Sequence, residues 1–292
     1  MIATENKYSW VDRKEYPFGD NYFTLDGNRM HYVDEGIGEP VLFVHGTPSW
    51  SWDFRNVIKE ISKTNRCIAA DHIGFGLSDK PEDYPYSTLK HSENLEAFID
   101  HLGLTNITLV VHDFGGPIGL NYAIKHPEKI KRLVILNTWL WSTKEEPEFK
   151  QAEMLLKSPL LPVLYKYFNF SARFMVPQSW GDKKTLTKEV HAHYLKPFSK
   201  ASERMGTLAF AKSLLNDLDW YESLWMKVDV LTGKPTLFLW GEKDKFMPLR
   251  FLTKFLTKFK NAEAVKINAG HFVQDEAQQE VTAEIKKFIE KC

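Results

Sequence analysis

The tightest constraint on this chain is a set of short apolar runs that stay apolar without alternating. Ile107-Thr108-Leu109-Val110-Val111 and Arg132-Leu133-Val134-Ile135-Leu136 are the clearest, and further short apolar runs rich in β-branched residues, not all of them continuous, stand at Arg29–Asp34, Val41–Val44, Arg66–Ala70, Thr236–Trp240 and Ala264–Ile267. A strand exposed on one face alternates apolar and polar residues, whereas a run with no polar face must be covered on both sides. Helical patterns at Phe54–Ser62, Leu89–Leu102, Ile118–His126, Leu249–Phe259 and Ala277–Ile289 lie between the runs and supply that cover. The reading is an α/β fold with an open, mostly parallel sheet. One interval breaks the rhythm: from Trp139 to Trp220 no strand run occurs, only amphipathic stretches separated by SPLLP, VPQSWGD and KPFSK. Such a long strand-free stretch exceeds a crossover, so it predicts a helical insertion over the carboxyl edge of the sheet, where open α/β sheets bind ligands.

Composition removes several classes of function. The 38 basic and 38 acidic side chains cancel, leaving no overall field to gather nucleic acid or an anionic membrane. The lysine pairs Lys183-Lys184 and Lys286-Lys287 read as solvated helix surface. No apolar stretch has the length of a membrane span. Met1 to Asp12 shows no apolar core or cleavage site of a secretory leader, so a mature terminus is expected. Cys67 sits in a strand run and Cys292 at the chain end, a poor basis for a disulfide, and the cytoplasm is the expected compartment.

Chemistry-bearing residues gather just beyond strand ends. The run at 107–111 passes through His112-Asp113-Phe114-Gly115-Gly116 directly into a helix pattern, a strand-to-helix corner that holds Asp113 at an exposed tip. The two glycines remove bulk where strand and helix converge, and the first amides of the helix favour negative charge near the tip. An aspartate at a helix start is also a common cap. Three further constellations, His45-Gly46-Thr47-Pro48, Gly241-Glu242-Lys243-Asp244 and Gly270-His271-Phe272, follow other strand runs, and strand ends converge in this architecture.

Taken together, HGTPSWSWDFR (45–55), DHIGFGLSDKP (71–81), VHDFGGPIG (111–119), LNTWLW (136–141), LWGEKD (239–244) and GHFVQDE (270–276) resemble the α/β-hydrolases, and specifically the haloalkane dehalogenases and their relatives. The resemblance implies an eight-stranded, mostly parallel sheet flanked by helices, with core at 1–138 and 221–292 and a helical cap at 139–220. It implies Asp113 as nucleophile, His271 as base, and Asp244 as the acid that orients it. The other family position for that acid holds Asn137 and Thr138 here. The backbone amides of Thr47 and Phe114 would form the oxyanion hole. A carboxylate can attack a saturated carbon, form an alkyl ester and release halide, after which water cleaves the ester. The implied partners are a small apolar organic substrate and water, with no cofactor, metal, nucleic acid or membrane.

The sequence departs from the family at the halide. Dehalogenases usually place a tryptophan after the nucleophile and an asparagine in the first loop; Phe114 and Thr47 stand there instead. Trp139, Trp141 and Trp180 are the replacement N–H donors available. An epoxide hydrolase would use the same ester route with a tyrosine acid, for which Tyr165, Tyr167 and Tyr194 are candidates. A haloacid hydrolase would need an arginine beside Asp113, and a binding protein could keep the fold without turnover. Ser49 and Ser51 are not at the corner, Gly74-x-Gly76 lacks the rest of a nucleotide motif, and His191-x-His193 reads as a solvated cap helix.

Overall fold

A computed structural model describes residues 8–292; the expectation about a leader over the first residues lies in part outside them. The strands are β1 (Asn21–Leu25), β2 (Asn28–Glu35), β3 (Pro40–Val44), β4 (Arg66–Ala70), β5 (Ile107–His112), β6 (Ile130–Leu136), β7 (Thr236–Gly241) and β8 (Glu263–Ile267). They form one sheet in the order β1-β2-β4-β3-β5-β6-β7-β8. β1 pairs antiparallel with β2, and β2 antiparallel with β4; every other pairing is parallel. The α/β-hydrolase fold expected from the sequence is thus present, and its sheet is mixed at one edge. β1 escaped the sequence reading because it is a half-buried edge strand. Its signal was the Asp26-Gly27 turn, whose positive φ values of 50° and 76° suit a tight hairpin into β2.

All residues of β5 and β7 are buried. Their side chains alternate between two cores, as the strand period requires: Leu109, Val111, Ile135 and Phe238 face one layer, and Val110, Val134, Leu237 and Leu239 the other. Full burial of such a side chain is worth about 1.5–3 kcal/mol, which makes the central strands a rigid base for the loops at their carboxyl ends.

The helices are α1 (Arg55–Ile61), α2 (Thr88–His101), α3 (Gly115–Lys125), α4 (Pro147–Leu156), α5 (Leu161–Phe168), α6 (Val176–Ser179), α7 (Lys188–Leu195), α8 (Met205–Asn216), α9 (Leu218–Lys227), α10 (Leu249–Lys258), α11 (Val273–Glu276) and α12 (Gln278–Lys291). Helices α4 to α9 fill the interval between β6 and β7, and α9 returns to pack on α3 beside the sheet. Among the described residues no helix is long and apolar enough to cross a membrane.

Candidate active site

The corner after β5 places Asp113 at φ 51°, a left-handed conformation that a non-glycine residue adopts only when its surroundings hold it there. Those surroundings are hydrogen bonds: the Asp113 amide donates to the Asn137 carbonyl at 3.1 Å, and the Asp113 carbonyl accepts from the Gly116 amide at 2.9 Å and the Thr138 hydroxyl at 2.5 Å. A side chain on Gly115 would run into the Val44 carbonyl, and one on Gly116 into Thr138. One on Gly46 would strike the Asp113 carboxylate itself. That close approach lets the Thr47 amide donate to Asp113 Oδ2 at 2.8 Å.

His271 stands between two carboxylates. Its Nδ1 lies 2.7 Å from Asp244 Oδ2, and its Nε2 3.7 Å from Asp113 Oδ1, too far for a hydrogen bond and near enough for a strong charge interaction. Asp244 is fixed in turn by the Phe246 amide at 2.7 Å and the Met247 amide at 3.1 Å, both on Oδ1, and by Asn137 Nδ2 at 2.8 Å on Oδ2. Burial disfavours the charged form of His271, but the charges of Asp244 and Asp113 outweigh it and push the imidazole up to about 10. Burial likewise opposes ionisation of Asp244, and its contact with His271 holds the carboxyl below its usual range.

A second polar chain supports His271 from behind. His112 Nε2 lies 2.8 Å from the His271 carbonyl, and Gln274 Nε2 lies 3.1 Å from both His112 Nδ1 and Asp53 Oδ2. Since a carbonyl only accepts, His112 must carry its proton on Nε2, leaving Nδ1 to accept from the Gln274 amide. Burial holds His112 down to about 3, so it stays neutral. From the cap side, the Ser179 carbonyl accepts the His271 amide at 2.9 Å.

Asp113 and His271 open into a cavity of about 170 Å³ with an apolar wall that includes Leu155, Leu156, Leu161, Phe170, Met175 and Val176. Of the three candidate indoles, only Trp139 lines it, packed edge-to-face on Phe114 with ring centroids 4.8 Å apart. Its Nε1 is buried without a hydrogen-bond partner among the described residues. The other two N–H groups are already engaged: Trp141 donates to Glu146 and Trp180 to Thr185, both at 2.8 Å, and Trp180 faces a neighbouring groove. Among the tyrosines, Tyr165 lines the cavity, Tyr167 is exposed, and the Tyr194 hydroxyl bonds Asp275. The solvated reading of His193 is corrected: it is buried and stacks on Trp52 at 3.6 Å, because α7 lies against the core and not in solvent. No cluster of metal-ligating side chains occurs among the described residues.

Asn137, His112 and Gln274 escaped the sequence reading as supports of the site. Each lies directly in or beside a motif already singled out, but hydrogen bonding across the sheet ends, 107 positions apart for Asn137 and Asp244, leaves no local signature.

Fold and site together define a class. The chain belongs to the alpha/beta hydrolase fold family, whose profile matches residues 39–278. Within that family it closely matches haloalkane dehalogenases: it is 33% identical to "Haloalkane dehalogenase 2" of Mycobacterium tuberculosis, over 94% of this chain and 96% of the relative. It is also 38% identical to the "Cis-3-alkyl-4-alkyloxetan-2-one decarboxylase" of Shewanella oneidensis, over 94% of this chain and 89% of the relative. Among solved structures, the haloalkane dehalogenase DatA of Agrobacterium tumefaciens shares the fold with a TM-score of 0.84 at 24% identity, over 94% of this chain and 96% of that one.

Proposed function

We propose that the protein is a haloalkane dehalogenase that works through an ester on Asp113. The observation that carries this reading is the Asp113 carboxylate at the floor of an apolar cavity, with His271 3.7 Å away and anchored to Asp244. An Asp113 oxygen displaces halide from a saturated carbon, forming a C–O bond as the carbon–halogen bond breaks. The unpartnered Trp139 N–H meets the departing halide. Water then adds to the ester carbonyl, giving its proton to His271, while the amides of Thr47 and Phe114 hold the oxyanion. Collapse of that intermediate breaks the bond between the Asp113 carbonyl carbon and the alkoxy oxygen, which takes the proton from His271 and leaves as the alcohol while the Asp113 carboxyl group is restored.

The electrostatics suit both steps. In the resting enzyme Asp113 helps to keep His271 protonated, and the pair of opposite charges is balanced. Esterification cancels the charge on Asp113 and removes that part of the support while Asp244 remains, so the imidazole holds its proton less tightly and releases it to solvent more readily, favouring the neutral base that the second step requires. The cap, proposed at 139–220 between core segments 1–138 and 221–292, excludes bulk water. The unbridged Cys67 and Cys292 accord with a cytoplasmic setting.

Incubation with 1-bromobutane, 1,2-dibromoethane and styrene oxide separates the dehalogenase from an epoxide hydrolase by halide or diol release. His271→Phe should accumulate the alkyl ester, seen as a mass increase on the peptide containing Asp113; an unmodified peptide and no halide would refute the reading.

One observation favours a second reading. The side chain of Phe114 has no N–H, so the halide would have a single side-chain donor, and the Shewanella relative is named for an oxetan-2-one substrate. Attack by Asp113 on the ring carbon bearing oxygen would open the ring and leave a carboxylate attached to the product. Loss of carbon dioxide, with the electron pair expelling Asp113, would then form an alkene. Carbon dioxide release from a cis-3,4-dialkyl oxetan-2-one, without halide release from bromoalkanes, would select this chemistry.

A further inference from the structure

Helix α5 is apolar on two sides. Leu161 and Tyr165 turn inward to the cavity, yet Val163, Tyr167 and Phe168 on the same helix are 41%, 64% and 50% exposed. Leu160 before the helix is 63% exposed, and Met154 and Phe174 on its flanks are 84% and 43% exposed. Six of the ten large hydrophobic side chains exposed among the described residues therefore fall in one short stretch of the cap. A helix that only covers a cavity would present polar residues to water on its outer side.

The charge of this stretch is equally one-sided. Between Glu153 and Asp182 the chain contains no acidic residue, while Lys157, Lys166 and Arg173 lie within it. Arg204 adds a fourth cation at the carboxyl end of α5, its guanidinium donating to the Lys166 carbonyl at 2.7 Å and the Phe198 carbonyl at 2.8 Å, close enough to Arg173 for their charges to repel. Lys157 is partnered by Glu153. Glu203 is the nearby acid beside Arg204, and its carboxylate accepts from the Ser199 hydroxyl and the Lys200 amide. In a chain whose total charge is zero, this region stands out as basic, aromatic and exposed.

We propose that the outer face of α5 and its flanks form a docking surface for an anionic lipid bilayer. Aromatic and aliphatic side chains enter the headgroup boundary there, while Lys166 and Arg173 meet lipid phosphates and Arg204, whose guanidinium is held by the Lys166, Phe198 and Ser199 carbonyls, adds only to the positive field. A second copy of the chain is a poorer occupant, because a two-fold contact through this patch would bring these cations against their own equivalents. The inner face of the same helix walls the apolar cavity, so docking sets the roof of the site against a phase in which an apolar substrate concentrates.

The test is co-sedimentation of the full chain with extruded vesicles, either phosphatidylcholine alone or phosphatidylcholine with one third phosphatidylglycerol, at low and high salt. Binding to the phosphatidylglycerol vesicles should weaken steeply as salt rises. It should also weaken by roughly tenfold or more in the double variant Tyr167→Ser/Phe168→Ser, since each aromatic contributes apolar burial. Arg173→Glu, a separate exposed change, should weaken it with little effect on neutral vesicles, and retained circular dichroism establishes that each variant is folded. Absence of binding, or equal salt-independent binding to both vesicle types, would overturn the proposal. So would a concentration-dependent dimer lost in the double variant without vesicle binding.

Discussion

The cavity has a floor and a ceiling built on different principles. On the floor, Asp113, His271 and Asp244 are each held by named hydrogen bonds from backbone or buried side chains at the strand ends. The ceiling, from α4, α5 and the segment at 170–176, is mostly a wall of Leu, Phe, Met and Val side chains, with Glu148, bonded to Arg250, as its one charged member. Directional contacts fix atoms to a few tenths of an ångström, which the chemistry of bond formation demands; apolar packing fixes volume, which substrate choice demands. Changes to the floor should therefore alter kcat, and changes to the ceiling should alter KM and chain-length preference.

The largest effects are expected at the proposed nucleophile and base. Asp113→Asn and His271→Phe should each lower steady-state turnover by about 10⁴-fold, with His271→Phe alone retaining a burst of halide release. A steady state without a burst in that variant would remove the distinction between the two steps. Next in size, Trp139→Phe keeps the ring and deletes only the unpartnered N–H, so kcat for bromoalkanes should fall roughly 10- to 100-fold with little change in melting temperature. If turnover is unchanged, the halide is held elsewhere.

Gln274→Glu tests the supporting chain. A carboxylate facing both His112 Nδ1 and Asp53 favours a proton on His112, and a cation there disfavours protonated His271. The expected result is a roughly tenfold loss of kcat with a shifted pH profile, which a merely structural change would not produce. On the ceiling, Leu156→Ala should raise the preference for longer bromoalkanes through KM while kcat stays within about twofold. A large kcat loss there would break the contrast between the two regions. The smallest effect is on stability. Because His271 is raised to about 10 in the folded protein, its contribution is fully present below the unfolded value near 6.5 and is lost as pH climbs through about 10. Thermal melts from pH 6 to 10 should show this loss in the wild type and a weaker one in His271→Phe.

The same contrast explains what could be read from sequence. Asp113, Phe114, Thr47 and Asp244 follow buried strand runs, and His271 follows the partly exposed edge strand β8; parallel strand ends converge, so local pattern and topology together predict their assembly. The edge strand β1 was hidden because it is only half-buried, although its Asp26-Gly27 turn was visible. Trp139, Trp141 and Trp180 were indistinguishable as candidates, since the direction of an indole N–H depends on Glu146 and Thr185, partners that only packing reveals. The bond from Asn137 to Asp244 was equally invisible, being a contact between two neighbouring strand ends with no periodic signal. The double-faced nature of α5 likewise emerged only when cavity and solvent could be assigned to opposite sides of it.

The central claim is a covalent bond between Asp113 and the substrate carbon, and a single-turnover reaction in heavy-oxygen water tests it most directly. With enzyme in excess over 1-bromobutane, the alcohol should carry ordinary oxygen taken from Asp113, and the peptide containing Asp113 should gain the heavy isotope. Alcohol bearing heavy oxygen, with that peptide unlabelled, would mean that water attacks the carbon directly and would contradict the account.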